Sequence, residues 1–375
     1  MEDIRNIKMC VPCLLGVEAP IAAELAGIGA RNVRSENGRV FFEGGADTLA
    51  DANIRSRCAE RVLIVVASFE AHTFDELFEG TKVARWDEWI GKTDRFPVKG
   101  YSLNSDLFSV SDCQSIIKKA VVESLREKYR IPWFEETGAL YQIQFSIMKN
   151  VVTLYIDTSG AALHKRGYRP AANAAPIKET LAAAICDFAR LQPYHTLYDP
   201  MCGSGTIVIE GAMKAMNIAP GVNRGFSFED FGPDFAAAAG EARERARSLV
   251  REAPEFTAFA SDIDPSALRI ARENAKRAGV AGKIRFEVAD VADFKLRTEK
   301  GTIITNPPYG ERMSDIRSAE TLYETMGKVF PRGQGRSCSV ITADEDFEKY
   351  FGAKADRRRK LYNGMIKCGL YMYFK

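Results

Sequence analysis

From about Pro170 onward, short apolar runs alternate with helical patterns in a steady rhythm, and no other feature constrains the fold as much. Thr196–Tyr198, Thr257–Ser261, Arg285–Ala289, Gly301–Thr305 and Ser337–Ile341 read as strands. Ile177–Leu191, Thr206–Ala215, Pro265–Ala278 and Ala319–Val329 carry the helical period. A strand that returns to its sheet through a helix runs parallel to its predecessor, so this half predicts an α/β sheet covered on both faces. Asn217–Pro254 interrupts the rhythm with an aromatic loop (GFSFEDFGPDF) and an Ala/Arg/Glu helix.

The first half reads differently. Met9–Leu15, Gly38–Glu43 and Arg61–Phe69 are strand-like, with helices expected at Glu18–Leu25 and Leu49–Ile54, and Asn37-Gly38 marks a turn. Helical material around two tryptophans follows at Phe74–Ile90, then an extended Arg95–Leu103. A helix capped by Ser111 or Asp112 runs to Tyr129, with Ile116, Ile117, Ala120, Val121 and Leu125 on its apolar face. Tyr141–Ile147 and Asn150–Ile156 form a hairpin, and Gly160–Arg169 is a basic linker. These shifts of character place boundaries at 1–67, 68–160 and 161–375.

Composition narrows the class. The 375 residues are 46% apolar and 27% charged with a net charge of +2, which excludes disorder and a uniformly basic nucleic-acid coat. No apolar run reaches the roughly 20 residues of a membrane helix, and Glu2, Asp3, Arg5 and Lys8 do not make a secretory leader. Eight irregularly spaced cysteines read as reduced thiols, so a cytoplasmic location is expected.

The chemistry concentrates in four strand ends. LYDPMCGSGT (Leu197–Thr206) is a strand, a glycine turn and a helix start, where Gly203 and Gly205 let a ligand approach the backbone. Val208 stands where a dinucleotide fingerprint needs its third glycine, which argues against a nicotinamide dehydrogenase. In FASDIDP, Asp262 is placed to accept ribose hydroxyls and Asp264 to cap the helix that opens at Pro265. Asp290 after the third strand is either an acceptor for an adenine amine or a plain strand terminator. In TNPPYG, consecutive prolines at 307 and 308 stop both strand and helix and hold carbonyls rigidly exposed beside Tyr309. Such a corner suits a poorly nucleophilic exocyclic amine. Asn306 and the Pro307 carbonyl would accept its two hydrogens while Tyr309 stacks on the base.

DPMCGSGT, SDID, VAD and NPPYG, in this order, resemble the motifs of a class I S-adenosylmethionine-dependent amino-methyltransferase. LHKRGYR (Leu163–Arg169), APIKETLAAAI (Ala175–Ile185) and FSVSDCQSIIKKAVVESL (Phe108–Leu125) extend the resemblance over nearly the whole chain, to the THUMP-domain RNA methyltransferases of the 23S rRNA guanine-N2 group. Relatives of this kind are often labelled N6-adenine-specific DNA methylases. The resemblance implies a Rossmann-like class I domain with a seven-stranded, mostly parallel sheet, preceded by ferredoxin-like and THUMP α+β regions. It implies S-adenosylmethionine as cofactor and RNA, 23S rRNA or its precursor, as partner, with no metal and no membrane. Asp199, Gly203 and Gly205 would line the methionine part, Asp262 the ribose and Asp290 the adenine, with Ala175–Lys178 closing over the cofactor. Ala175, Ile177, Cys202, Thr206, Ile263, Val291 and Asn306 complete the implied cofactor set, and Asn306, Pro307, Pro308 and Tyr309 the catalytic one.

Lys165, Arg166 and Arg169, with Arg357 and Arg358 in the basic run Lys354–Lys360, are the candidate RNA-phosphate contacts; a solvated linker and a solvated face are the plain alternatives. Cys10-Val11-Pro12-Cys13 has metal spacing but no second pair, and reads as two buried thiols in a strand. Trp86, Trp89 and Trp133 read as core. N6-adenine methylation of DNA, guanine-N2 methylation of tRNA, and an RNA-assembly factor with little catalysis remain competing readings.

Overall fold

The computed structural model describes residues 6–169, 177–309 and 313–374. The chain divides into two compact units: Ala22–Leu163 and Gly225–Arg245 belong to the first with the amino-terminal strand, and His164–Arg224 and the residues from Ala246 belong to the second with Cys13–Ile21.

The first unit contains β1 (Ile7–Pro12), most of α1 (Glu18–Gly27), β2 (Arg31–Glu36), β3 (Arg39–Gly44), α2 (Ala46–Arg55), β4 (Leu63–Glu70), α3 (Phe74–Lys82), β5 (Val98–Leu103), α4 (Val110–Tyr129), β6 (Ile143–Met148) and β7 (Val151–Asp157). Its seven strands form one sheet in the order β2-β3-β1-β4-β7-β6-β5. The boundary read at residue 67 falls inside β4, which pairs with β1 at Leu63 and Ile64 and with β7 along its whole length. Asn37 and Gly38 join β2 to β3, and Lys149 and Asn150, both left-handed, turn β6 into β7. The α4 cap is Ser109 rather than Ser111 or Asp112, and its buried stripe is Cys113, Ile117, Ala120, Val121 and Leu125. Trp86 is fully buried and its indole donates to the Thr81 carbonyl (2.9 Å), but Trp133 is 75% exposed and is not core. Cys10 is buried in β1, whereas Cys13 lies past the end of that strand. The aromatic interruption packs within this unit: Phe231 stacks on Tyr141 at 4.1 Å, and the Phe228 amide donates to Thr158 (3.0 Å).

The second unit follows the expected alternation, with α5 (Glu179–Phe188), β8 (Thr196–Asp199), α6 (Thr206–Ala215), β9 (Thr257–Asp262), α8 (Pro265–Arg277), β10 (Ile284–Val288), β11 (Gly301–Thr305), α9 (Met313–Val329), β12 (Arg336–Thr342), α10 (Phe347–Phe351), β13 (Arg357–Asn363) and β14 (Ile366–Tyr373); α7 (Pro233–Ser248) lies mostly in the first unit. The sheet order is β10-β9-β8-β11-β12-β14-β13, parallel from β10 through β12, with β14 antiparallel to both of its neighbours. Successive residues of β8 face opposite sides. Tyr198 enters the core with Tyr323, Met326 and Phe330, whereas Leu197 lies under α6 so closely that a Cβ on Gly211 would come within 2.6 Å of it. The order of strands reverses between β8 and β11, and the crevice outside the carboxyl ends of such strands is where ligands bind in open α/β sheets.

Candidate active site

Each chemical motif lies at the carboxyl end of one of four adjacent parallel strands, β10, β9, β8 and β11. β8 ends at Asp199 and passes into a turn in which Gly203 (φ +51°) and Gly205 (φ +81°) are both left-handed. A Cβ on Gly203 would meet nothing within 4 Å, so the backbone there faces open space; on Gly205 it would come within 3.0 Å of Ala271 on α8. The first glycine leaves room for a ligand and the second lets two helices approach.

The turn is tied to its neighbours. The Gly203 amide donates to Asp262 Oδ2 (2.8 Å), the Asp264 amide donates to Asp262 Oδ1 (3.0 Å), and the Cys202 amide donates to the Ser261 carbonyl (2.9 Å). Asp262 thus holds β8's turn against the end of β9, and each of its oxygens keeps a second lone pair for a ribose hydroxyl. Asp264 accepts from the Ser266 amide (2.8 Å) and is the cap of α8, with Pro265 in the first turn, as the sequence indicated.

Asp199 is 1% exposed, and its Oδ1 accepts from Thr305 Oγ1 (2.8 Å) and the Met201 amide (3.4 Å). Burial drives its carboxyl from 3.8 up to about 7, opposed by the Thr305 and Met201 bonds and reinforced by the nearby Asp262 charge. Thr305, at the end of β11, is a partner the motif reading missed; its signal was a hydroxyl on the strand's last residue, directly before NPPY. Burial also pushes the Cys202 thiol well up, so it is no nucleophile at neutral pH.

Ile263 is 69% exposed and Val288 55% exposed, two large apolar side chains at the ends of β9 and β10 where an adenine ring would sit. Asp290 is exposed, with one oxygen accepting from the Ala292 amide (2.8 Å) as the cap of a short 3₁₀ turn. The chemistry of this set fits S-adenosylmethionine: carboxylates for hydroxyls and an ammonium, apolar flanks for a purine, and a bare backbone at Gly203. Val291 departs from its expected place, because its side chain is 7% exposed and packed in the core with Tyr198 and Ile303. Ala175 lies outside the described residues, and Ile177 is buried.

Asn306, Pro307, Pro308 and Tyr309 leave β11 without helix or strand, with Pro307 buried and Pro308 exposed. The Tyr309 hydroxyl donates to Asn306 Oδ1 and lies 3.9 Å from Cys368 Sγ on β14. Burial and Cys368 raise its phenol far above the ordinary range. β13 and β14, which alternation did not predict, therefore brace the corner.

The basic candidates divide. Lys165 is exposed, but the Arg166 side chain is 2% exposed beside Glu210 (3.5 Å) and Arg169 is 10% exposed against Glu179 (3.0 Å). Buried ion pairs remove both from the set of surface phosphate contacts. Arg357 is exposed, whereas Arg358 is engaged by Glu348.

Together, the strand order, the glycine turn and the carboxylates at the ends of β8 and β9 define a class I S-adenosylmethionine-dependent methyltransferase. Residues 166–372 match the model of the RMKL-like methyltransferase domain, residues 8–63 the RlmL ferredoxin-like domain and residues 71–157 the THUMP domain. The chain belongs to this RMKL-like methyltransferase family. It is 43% identical to YpsC of Bacillus subtilis (strain 168), named as a candidate RNA methyltransferase, over 99% of this chain and 97% of that protein. It is 32% identical to the ribosomal RNA large subunit methyltransferase K/L of Syntrophotalea carbinolica (strain DSM 2380 / NBRC 103641 / GraBd1), covering 97% of this chain but 53% of that longer protein. Among solved structures, SMU.472, described as a methyltransferase candidate complexed with SAH, superposes with a TM-score of 0.92 at 38% identity, over 99% of this chain and 98% of that one. No helix among the described residues is long and apolar enough to cross a membrane.

Proposed function

We propose that this protein transfers the methyl group of S-adenosylmethionine to the exocyclic N2 amine of a guanine in RNA, with 23S rRNA as the target. The observation that carries the reading is the Asn306–Tyr309 corner at the end of β11, adjacent in the sheet to β8 and its glycine turn. RNA is supported by the THUMP match at residues 71–157 and by the name of YpsC, and large-subunit ribosomal RNA by the name of the K/L relative; the guanine N2 amine rests on the motif resemblance that ends in Asn306–Tyr309.

Bound S-adenosylmethionine supplies an electrophilic methyl group on a sulfonium. An aryl amine donates its lone pair into the base, so the residues must hold the nitrogen as it turns pyramidal. Asn306 Oδ1 and the Pro307 carbonyl accept its two hydrogens, and the Tyr309 ring stacks on the base. The Tyr309 hydroxyl occupies Asn306 Oδ1 here, so an arriving amine exchanges one hydrogen bond for another at that oxygen. A fixed Pro307-Pro308 backbone keeps its acceptors in place without reorganisation.

Radiolabelled methyl transfer to rRNA from a strain lacking the gene, followed by nucleoside mass spectrometry, tests the reading. N2-methylguanosine that disappears with Asn306→Ala supports it. Methyladenine, or label confined to DNA or tRNA, contradicts the assigned target.

A further inference from the structure

We infer that Arg169 is a positioning residue for the cofactor turn, acting through Thr206, and that it contacts neither RNA nor the cofactor itself. Its guanidinium joins two segments, the start of α6 and the stretch 177–179 that opens α5. Nη1 donates to Thr206 Oγ1 (2.9 Å) and to the Ile177 carbonyl (3.0 Å), and Nη2 lies 3.0 Å from Glu179 Oε2 at the first residue of α5. Thr206 is the first residue of α6, immediately after Gly205, which caps that helix without any side-chain bond. The helix start that supports the glycine turn is therefore fixed from outside the turn, by Arg169 on one side and by Asn274, whose amide donates to the Ser204 carbonyl (3.1 Å), on another.

Charge and burial explain why an arginine fits this position. Glu179 and the Arg169 side chain are 4% and 10% exposed, so each buried charge has its counter-ion. A planar fork donates to two acceptors from one nitrogen while the other nitrogen lies against a carboxylate, which a lysine ammonium on a flexible stem does not reproduce. The neighbouring Arg166 supplies a built-in comparison. It is equally buried, but its carboxylate partner is Glu210, a full turn into α6, which also accepts from Tyr168 (3.0 Å).

The test compares Arg169→Lys with Arg166→Lys, reading S-adenosylhomocysteine affinity by calorimetry, Tm, and KM and kcat for both substrates. Affinity is read without RNA, so it does not depend on which base is methylated. Arg169→Lys is expected to raise Kd and the KM for the methyl donor about 10-fold or more, with kcat at saturating donor and the KM for RNA within about threefold. Arg166→Lys is expected to lower Tm at least as much and leave Kd within about twofold. Thr206→Val removes the hydroxyl to which Arg169 Nη1 donates and which lies 3.3 Å from Ser204 Oγ, leaves the Arg169–Glu179 pair in place, and is expected to raise Kd in the same direction as Arg169→Lys. Equal Kd changes in the two lysine variants, or a Thr206→Val protein with normal affinity, overturn the assignment; so does a rise in the KM for RNA alone.

Discussion

The Gly203 amide donates to Asp262 Oδ2 across 2.8 Å, so the carboxylate assigned to ribose also holds the turn assigned to methionine. The two parts of the cofactor site are one mechanical unit, and neither can shift without loosening the other. Asp262→Ala is expected to weaken S-adenosylhomocysteine binding about 10–100-fold, the loss of bonds to a charged acceptor. Hydrogen exchange at the Gly203 amide is expected to accelerate in the same variant; unchanged exchange would show that the turn stands without Asp262.

The two glycines of the turn separate space from strain. Gly205→Ala puts a Cβ 3.0 Å from Ala271 in a left-handed backbone and is expected to lower Tm by several degrees. Gly203→Ala meets no protein atom, so its Tm loss is expected to be smaller while cofactor affinity falls at least as far. Calorimetry and thermal melts on both variants check this, and equal affinity loss with the larger Tm loss at Gly203 would contradict it.

Asp199 gives a pH dependence with a definite sign. Burial raises its carboxyl from 3.8 to about 7, so between those values the folded protein holds a proton that the unfolded chain has lost. Its contribution to stability is full below about pH 4 and is lost as pH rises through about 7. Asp199→Asn imitates the protonated form and keeps an acceptor for Thr305. The Tm of Asp199→Asn minus that of wild type is expected to grow from pH 5 to pH 8; a flat difference would remove Asp199 from the account.

At the base site, ring and hydroxyl of Tyr309 are separable. Tyr309→Phe frees Asn306 Oδ1 and is expected to leave kcat within about threefold, whereas Tyr309→Ala is expected to cut kcat/KM for RNA about 5–100-fold through lost stacking. If the phenylalanine variant is as impaired as the alanine one, the hydroxyl rather than the ring is what matters.

Local pattern was enough for the parts of the fold that are apolar and uninterrupted. Thr206–Ala215 and Gly301–Thr305 have the expected bounds because a glycine turn or a proline pair ends each pattern sharply. β2, RNVRSE, escaped notice because it is a sheet-edge strand with five of its six residues exposed and no apolar alternation. β13 was hidden in the same way: Arg357–Lys360 reads as a charge run, yet the sheet ends on that strand. Arg166 and Arg169 read as surface cations because their partners, Glu210 and Glu179, are distant or unmarked in the sequence. Pairing across a fold decides burial, and a linear pattern does not contain it.

A crystal structure with bound S-adenosylhomocysteine tests the central claim most directly. The account predicts the ribose hydroxyls on Asp262, the adenine against Ile263 and Val288, and the sulfur facing Asn306 Oδ1. Density for the compound at any other face of the sheet, or with its sulfur turned away from Asn306, would contradict it.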